Sequence, residues 1–102
     1  MLQYLSLAYC TRLTEVCSTY FNQLECFKSL KYLDLSGCIQ LTDIAIQYVS
    51  GVCHYLRFLD LCGCELITHK MVRLTTGRVE KVEYSTDSPP DDFLPSPTKE
   101  TA

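Results

Sequence analysis

One pattern of apolar and polar positions occurs three times along this chain. Each copy reads Leu-x-x-Leu-x-Leu-x-x-Cys, continues with x-x-Leu or x-x-Ile, and ends in Thr. The copies cover residues 2–14, 30–42 and 56–68, here called copies one, two and three. The alternating leucines predict a short strand whose leucines point inward. The segment after each threonine predicts a helix.

The helix after copy two has the clearest signals. Thr42 and Asp43 form a plausible N-cap pair. The apolar residues that follow are spaced to lie on one helical face: Ala45, Ile46, Val49 and Cys53. After copy one we predict a helix from Val16 to about Cys26 with four inward residues, namely Cys17, Tyr20, Phe21 and Leu24.

The region after copy three is shorter. Met71, Val72 and Leu74 predict barely two helical turns before Gly77. A degenerate fourth strand is predicted over residues 79–84. Its charged residues, Glu80, Lys81 and Glu83, suit a final edge strand that must not recruit another chain.

Self-similarity at this period is typical of a leucine-rich repeat. The predicted fold is an α/β right-handed solenoid of about three repeats plus a degenerate last strand, with a parallel inner sheet and outer helices. The array is expected over residues 1–84, with repeats near 2–29, 30–55 and 56–78 and the terminal strand at 79–84. Residues 85–102 read as an acidic, Pro-rich, disordered tail. Because an apolar first strand follows Met1 without a polar cap, we expect the C-terminal end of a longer array or a truncated product.

Charge and hydropathy argue against several kinds of partner and cellular location. The net charge of −3 arises in the tail, so the repeats are neutral and no nucleic acid partner is expected. No apolar run reaches the roughly 18 residues of a membrane span, and no secretory signal opens the chain. The prediction is a cytoplasmic protein that does not interact with a membrane.

The seven cysteines are expected to be reduced, buried thiols. Cys10, Cys38 and Cys64 recur at one position of the pattern, where a weak S–H donor can reach a loop carbonyl. Cys62 and Cys64 are the only close pair, and no second pair or nearby histidine completes a metal site. His54 and His69 are isolated and favour surface or capping roles. We therefore expect no catalytic residues, no metal and no cofactor.

Leu30 through Asp43, with Cys53 and Leu56 beyond, resembles the cysteine-containing repeat of F-box/leucine-rich-repeat proteins. The resemblance spans residues 2–84. It implies non-catalytic protein binding of the kind performed by the substrate-recognition repeats of a Skp1–cullin–F-box (SCF) ubiquitin ligase. The F-box itself is absent, so contact with SCF components would need an F-box upstream.

A narrower resemblance concerns the end of the chain. It consists of Cys53-His54-Tyr55-Leu56, a shortened last repeat, Val79-x-x-x-Glu83-Tyr84-x-Thr86 and Pro89-Pro90. This arrangement is similar to the C-terminal end of one member of the family, which serves in the ciliary dynein regulatory complex. It implies the alternative of a structural subunit or fragment of the axonemal nexin–dynein regulatory complex, located in a cilium or flagellum.

The outward strand positions predict ladders across the concave face of the solenoid. The first is Tyr4, Tyr32 and Phe58; the second is Ser6, Asp34 and Asp60; the third is Ala8, Ser36 and Cys62. With Lys31 and Arg57 near the rim, they form a candidate partner-binding face, since aromatic anchors on a rigid sheet are typical of interface hot spots. The alternative is that the aromatics make cross-strand contacts and the aspartates satisfy loop amides. In the tail, Ser88 and Ser96 each precede proline and are candidate phosphorylation sites.

Overall fold

A computed structural model describes residues 1–85 of the chain. Four short strands form one parallel sheet in the order β1-β2-β3-β4. They are β1 (Tyr4–Ser6), β2 (Tyr32–Asp34), β3 (Phe58–Asp60) and β4 (Lys81–Glu83). Three α-helices lie between them: α1 (Glu15–Ser18), α2 (Asp43–Val52) and α3 (His69–Thr76). Two 3₁₀ helices, Phe21–Gln23 and Glu25–Ser29, complete the connection from α1 to β2.

The predicted mixed α/β class with a parallel sheet is confirmed. Leu5 pairs with Leu33, and Leu33 pairs with Leu59, so equivalent leucines of the three copies lie side by side. Those of copies two and three are fully buried and form the core together with the inward residues of α2. Because side chains alternate across a strand, the same register places the intervening polar and aromatic residues on the opposite face of the sheet.

The helix predicted after copy two is observed as α2. Ala45, Ile46, Val49 and Cys53 are all buried, as their spacing predicted. The predicted N-cap pair, Thr42 and Asp43, does not cap α2 with its side chains. Thr42 occupies the N-cap position without a side-chain capping bond, and its hydroxyl donates to Glu15 Oε1 at 2.7 Å. The carboxylate of Asp43 accepts from Thr68. Both side chains therefore connect one copy to the next instead of capping their own helix.

The prediction of a single helix from Val16 to about Cys26 is wrong. The α-helix ends at Ser18, where the hydroxyls of Ser18 and Thr19 donate to carbonyls three residues back and compete with the helical ladder. Two 3₁₀ helices follow, and their three residues per turn shift the inward face. Of the four residues predicted to point inward only Phe21 is buried; the exposed ones are Cys17, Tyr20 and Leu24.

The last helix and strand follow the predicted order. In α3, Met71 and Val72 are half-buried and Leu74 is exposed. The strand predicted over residues 79–84 is observed as β4 at Lys81–Glu83, with Val79 buried beside it. The phenolic hydroxyl of Tyr84 donates to the carbonyl of Ile67 at 2.7 Å, which ties the end of the sheet to copy three.

Candidate protein-binding face

The exposed side of the sheet carries its side chains in rows, because the four strands are parallel and in register. We call this surface the open sheet face. Its aromatic row consists of Tyr4, Tyr32 and Phe58. Its acidic row lies two residues further along each strand and consists of Ser6, Asp34, Asp60 and Glu83. The first two ladders predicted from the sequence are therefore brought together on one surface.

The aromatic row is a continuous stack. The rings of Tyr4 and Tyr32 have centroids 4.5 Å apart at 24°, and those of Tyr32 and Phe58 are 4.5 Å apart at 6°. In-register parallel strands lie about 4.8 Å apart, which is close to the spacing of stacked rings. The side chain of Lys81 ends the stack, with Nζ 5.7 Å from the Phe58 centroid. Stacking holds the rings in place, so the row offers a partner a pre-ordered apolar edge.

Asp34 is an anchored carboxylate. Its Oδ1 accepts hydrogen bonds from the amide of Ser36 at 2.9 Å and from the Ser36 hydroxyl at 2.6 Å. The Ser6 hydroxyl donates to Oδ2 at 3.4 Å. The interpretation that this aspartate satisfies loop amides is therefore correct for Asp34, and the same bonds fix its charge in place on the open sheet face.

Asp60 repeats part of this arrangement. Its Oδ1 accepts from the amide of Cys62 at 3.0 Å. Burial raises the pKa of the neighbouring Tyr32 phenol, and the nearby carboxylates of Asp60 and Asp34 raise it further. The phenol thus stays neutral beside a row of carboxylates, so the face combines an uncharged aromatic stripe with a negative one.

The two predicted rim residues are both exposed but differ in their contacts. Arg57 Nε lies 3.0 Å from Glu80 Oε1, and this hydrogen bond raises the pKa of the guanidinium. Lys31 lies at the equivalent position of copy two, beside the aromatic row. An exposed ion pair of this kind contributes little to stability. Arg57 is therefore partly neutralised by its neighbour, which leaves Lys31 as the more available cation.

Sequence reasoning missed two members of the face. It assigned Lys81 and Glu83 only to a protective edge strand. The register pairs Phe58 with Lys81 and Asp60 with Glu83, so both extend the rows. Lys81 Nζ also lies 3.3 Å from Glu83 Oε2. The sequence contained the information needed to place them on the face. Aligning the degenerate fourth strand with copy three puts Lys81 at the position of Phe58.

The third row lies at tight turns that follow the strands. In copy two the amide of Cys38 donates to the carbonyl of Leu35 at 3.2 Å, and Gly37 has φ of 72°. Because only the third residue has positive φ, this is a type II turn. Gly63 in copy three has φ of 80°, and Tyr9 in copy one has φ of 61°. Ala8, Ser36 and Cys62 precede these residues and serve the turns.

All seven cysteines lie in the described part of the chain, and each is a free thiol. The expectation that they are buried is wrong for Cys10 and Cys17, which are exposed. Cys38 Sγ donates to the carbonyl of Leu7 at 3.1 Å, and Cys64 Sγ donates to that of Leu35 at 3.0 Å, as predicted for thiols that reach loop carbonyls. Burial raises the pKa of Cys53 and of Cys64 to about 12. These thiols are therefore poor nucleophiles at neutral pH.

Cys17 has a different environment. It is exposed, and hydrogen bonds from the backbone and side chain of Thr14 lower the pKa of its thiol. The two side chains are 3.5 Å apart. Cys17 lies in α1, a helix of four residues.

The two histidines are exposed and far apart in the chain. His69 begins α3, and its ring meets that of Tyr84 edge-on at 5.2 Å. His54 follows α2 in an exposed turn. Among residues 1–85, no three His, Cys, Asp or Glu side chains are grouped so that they could hold a metal ion. The candidate phosphorylation sites, Ser88 and Ser96, lie outside the described residues.

No protein-family model matches this chain, and a search of curated proteins returns no match either. In the part that the structure describes, no helix is both long and apolar enough to cross a membrane.

Proposed function

We propose that this chain is a non-catalytic protein-binding module of the leucine-rich-repeat type, whose open sheet face is the concave surface of a right-handed solenoid. The observation that carries the proposal is the stack of Tyr4, Tyr32 and Phe58 beside a row of fixed carboxylates. Three features support the repeat class: the three copies of the pattern, the in-register parallel sheet, and the hydrogen bonds that cysteine thiols donate to carbonyls of the preceding copy.

The chemistry of the face favours recognition over reaction. Interface hot spots are typically pre-ordered aromatic side chains surrounded by polar groups, and this face has that composition. Its carboxylates favour a partner that presents basic side chains, because electrostatic complementarity selects partners and speeds association. The core beneath the sheet is filled by buried leucines. These features support a role in binding.

Two cellular settings fit this proposal, and both follow from the sequence resemblance. The first is substrate recognition for an SCF ubiquitin ligase in the cytoplasm, with an F-box supplied upstream. The second is a structural position in the axonemal nexin–dynein regulatory complex of a cilium or flagellum. Co-fractionation of the native protein with Skp1 would favour the first setting. Retention in salt-washed axonemes would favour the second.

The binding test uses substitutions that keep the turns intact. Alanine at Asp34 would leave the Ser36 amide without its acceptor, so Asp34→Asn and Asp60→Asn are preferable because an amide oxygen still accepts. We expect this pair, combined with Tyr4→Ala, to reduce capture of the partner by about tenfold or more, since hot-spot losses exceed roughly 1.4 kcal/mol.

The matched control is Lys70→Gln with Arg73→Gln, which changes two exposed charges on α3. Capture by the control should equal that of the native chain. Circular dichroism melts should show that both variants remain folded. Equal capture of the same partner by the native chain and the face variant would exclude the open sheet face as the binding surface.

A further inference from the structure

The open sheet face carries opposite charges on the two sides of its aromatic row. Along each strand a cationic residue comes first, then an aromatic residue, then a carboxylate. In copy two these are Lys31, Tyr32 and Asp34, and in copy three they are Arg57, Phe58 and Asp60. The two strands are parallel and in register, so like residues lie side by side. A partner on this face therefore meets positive charge on one side and negative charge on the other.

The cations beside the aromatic row differ in how far they are neutralised. Arg57 Nε lies 3.0 Å from a Glu80 oxygen, and Lys81 Nζ lies 3.3 Å from a Glu83 oxygen. Lys31 is exposed at the start of β2. Because the other two have carboxylate partners, Lys31 presents the strongest positive charge to a partner on that side of the row.

The two carboxylates on the other side are held in place and can still accept hydrogen bonds. A carboxylate has about four acceptor sites. Asp34 receives donors from Ser6 and Ser36, and the Ser6 contact is long at 3.4 Å. Asp60 receives the Cys62 amide at 3.0 Å, and both aspartates are only half-buried. A basic side chain can therefore bind here with little loss of side-chain freedom on this chain.

The spacing of the rows indicates the shape of the partner. Neighbouring members of a row are about 4.8 Å apart, and the ring centroids are 4.5 Å apart. One turn of an α-helix advances about 5.4 Å, so after two steps along the rows a helix is out of register by about 1 Å. Alternate residues of an extended peptide advance about 6.7 Å, which gives a mismatch of about 4 Å over the same two steps. A helix lying across the strands therefore matches the rows.

The main chain of the partner leads to the same conclusion. An extended peptide normally binds at the edge of a sheet, where strand amides and carbonyls pair with its own. On the open sheet face it would meet aromatic rings, which do not replace the hydrogen bonds of buried main-chain groups. A helix pairs its own amides and carbonyls internally. A helix can therefore cover the aromatic row without leaving main-chain groups unpaired.

We propose that the open sheet face binds an amphipathic α-helix that lies along its rows, across the strands. The proposal rests on the protein-binding function proposed above and specifies the partner. Apolar side chains of the helix contact Tyr4, Tyr32 and Phe58. Basic side chains on one flank of the helix contact Asp34 and Asp60. The other flank is acidic or neutral, because it faces Lys31.

The probe is a synthetic peptide of about 15 residues, held helical by a side-chain bridge on its outer side. It carries a leucine stripe, two arginines on one flank and two glutamates on the other. Fluorescence anisotropy of the labelled peptide measures its affinity for the whole chain. The control peptide has the same sequence without the bridge and with two central residues as D-amino acids, which prevents a helix. We expect the helical peptide to bind at least about tenfold more tightly.

A double-mutant cycle tests where the basic flank lies. Replacing both arginines of the peptide by glutamine should weaken binding to the native chain by about tenfold. The same replacement should change binding to an Asp34→Asn, Asp60→Asn chain by less than about twofold, because the charges that the arginines contact are gone. Circular dichroism should show that the variant chain remains folded.

The second flank is tested through Lys31. A peptide with arginines in place of its glutamates should bind the native chain about threefold more weakly, because Lys31 repels the added charge. Lys31→Gln should remove this difference. The matched control is Lys70→Gln, which removes an exposed charge on α3 and should preserve the difference.

Three outcomes would overturn the proposal. One is a helical peptide that does not bind, or binds no better than its D-amino acid control. Another is an equal effect of the arginine replacement in the native and Asp34→Asn, Asp60→Asn chains, which would place the peptide elsewhere. The third is equal or tighter binding of the peptide with two basic flanks. The protein-binding function would survive all three if the face variant still failed to capture its natural partner, so the two proposals can fail separately.

Discussion

The contact between Tyr9 and Gly37 provides a quantitative test of how the turns stack. Gly37 and Gly63 occupy the same position in two type II turns, with φ of 72° and 80°. A Cβ at Gly37 would clash with the ring of Tyr9, which lies across the turn. A Cβ at Gly63 would come no closer than 3.4 Å to Gly37, which is an ordinary contact. The two glycines are therefore similar in backbone and different in neighbours.

This difference predicts unequal costs for the same substitution. An alanine in the left-handed region costs about 1–2 kcal/mol, so Gly63→Ala should lower the free energy of unfolding by that amount. Gly37→Ala carries the same backbone cost and must also displace the Tyr9 ring. Because that ring is 75% exposed and can rotate away, we expect a further loss of only about 1 kcal/mol, at the low end of overpacking costs.

A double-mutant cycle isolates the ring contact. In a Tyr9→Gly background the ring is absent, so Gly37→Ala should cost no more than Gly63→Ala does in the native chain. The expected interaction energy is about 1 kcal/mol. Urea unfolding followed by circular dichroism measures each value. Thermal melts should separate the two alanine variants by about 4–8 °C per kcal/mol.

Additive effects in the cycle would refute the reasoning. An interaction energy below about 0.3 kcal/mol would mean that the Tyr9 ring does not restrict the Gly37 position. Equal costs for the two alanine substitutions in the native chain would lead to the same conclusion.

Two further predictions concern the bonds and thiols between copies. Asp43→Ala should lower the free energy of unfolding by about 0.5–1.5 kcal/mol, because the amide and hydroxyl of Thr68 lose their shared acceptor at an exposed site. Asp43→Asn should lose less, and equal urea midpoints for the two variants would contradict this. Burial raises the pKa of Cys53 and Cys64 from the ordinary 9.0 to about 12, so the unfolded chain loses these protons first. The free energy of unfolding should therefore fall as pH rises from 9 to 12, and less steeply in a Cys53→Ala, Cys64→Ala variant when urea titrations are compared.

The sequence predicted the structure best where the spacing of the leucines is the same in every copy. The spacing of Leu5, Leu33 and Leu59 predicted parallel strands in register, because leucines at alternate positions can be buried only if the copies align. It also predicted the buried face of α2. It failed between copies one and two, where side-chain hydroxyls of Ser18 and Thr19 end the helix early and 3₁₀ turns replace the expected period.

The candidate face was predicted in part. The aromatic row followed from strand alternation alone, and its members are adjacent in the sheet. The spacing of the fourth strand aligns Lys81 with Phe58 and Glu83 with Asp60, but the stacking angles and the contact of Lys81 with the Phe58 ring required the structure. The alternative roles of Asp34 could be separated only by seeing which donors reach its oxygens.

The amino-acid sequence by itself determined the repeat, the alternation of buried and exposed strand positions, and the class of fold, because periodic burial is a property of local spacing. Only the tertiary structure decided that Thr42 and Asp43 bond to neighbouring copies, and that the Cys38 and Cys64 thiols bond to the copy before them. Those facts depend on partners 25 or more residues apart in the chain, and local periodicity contains no information about which distant group a side chain meets.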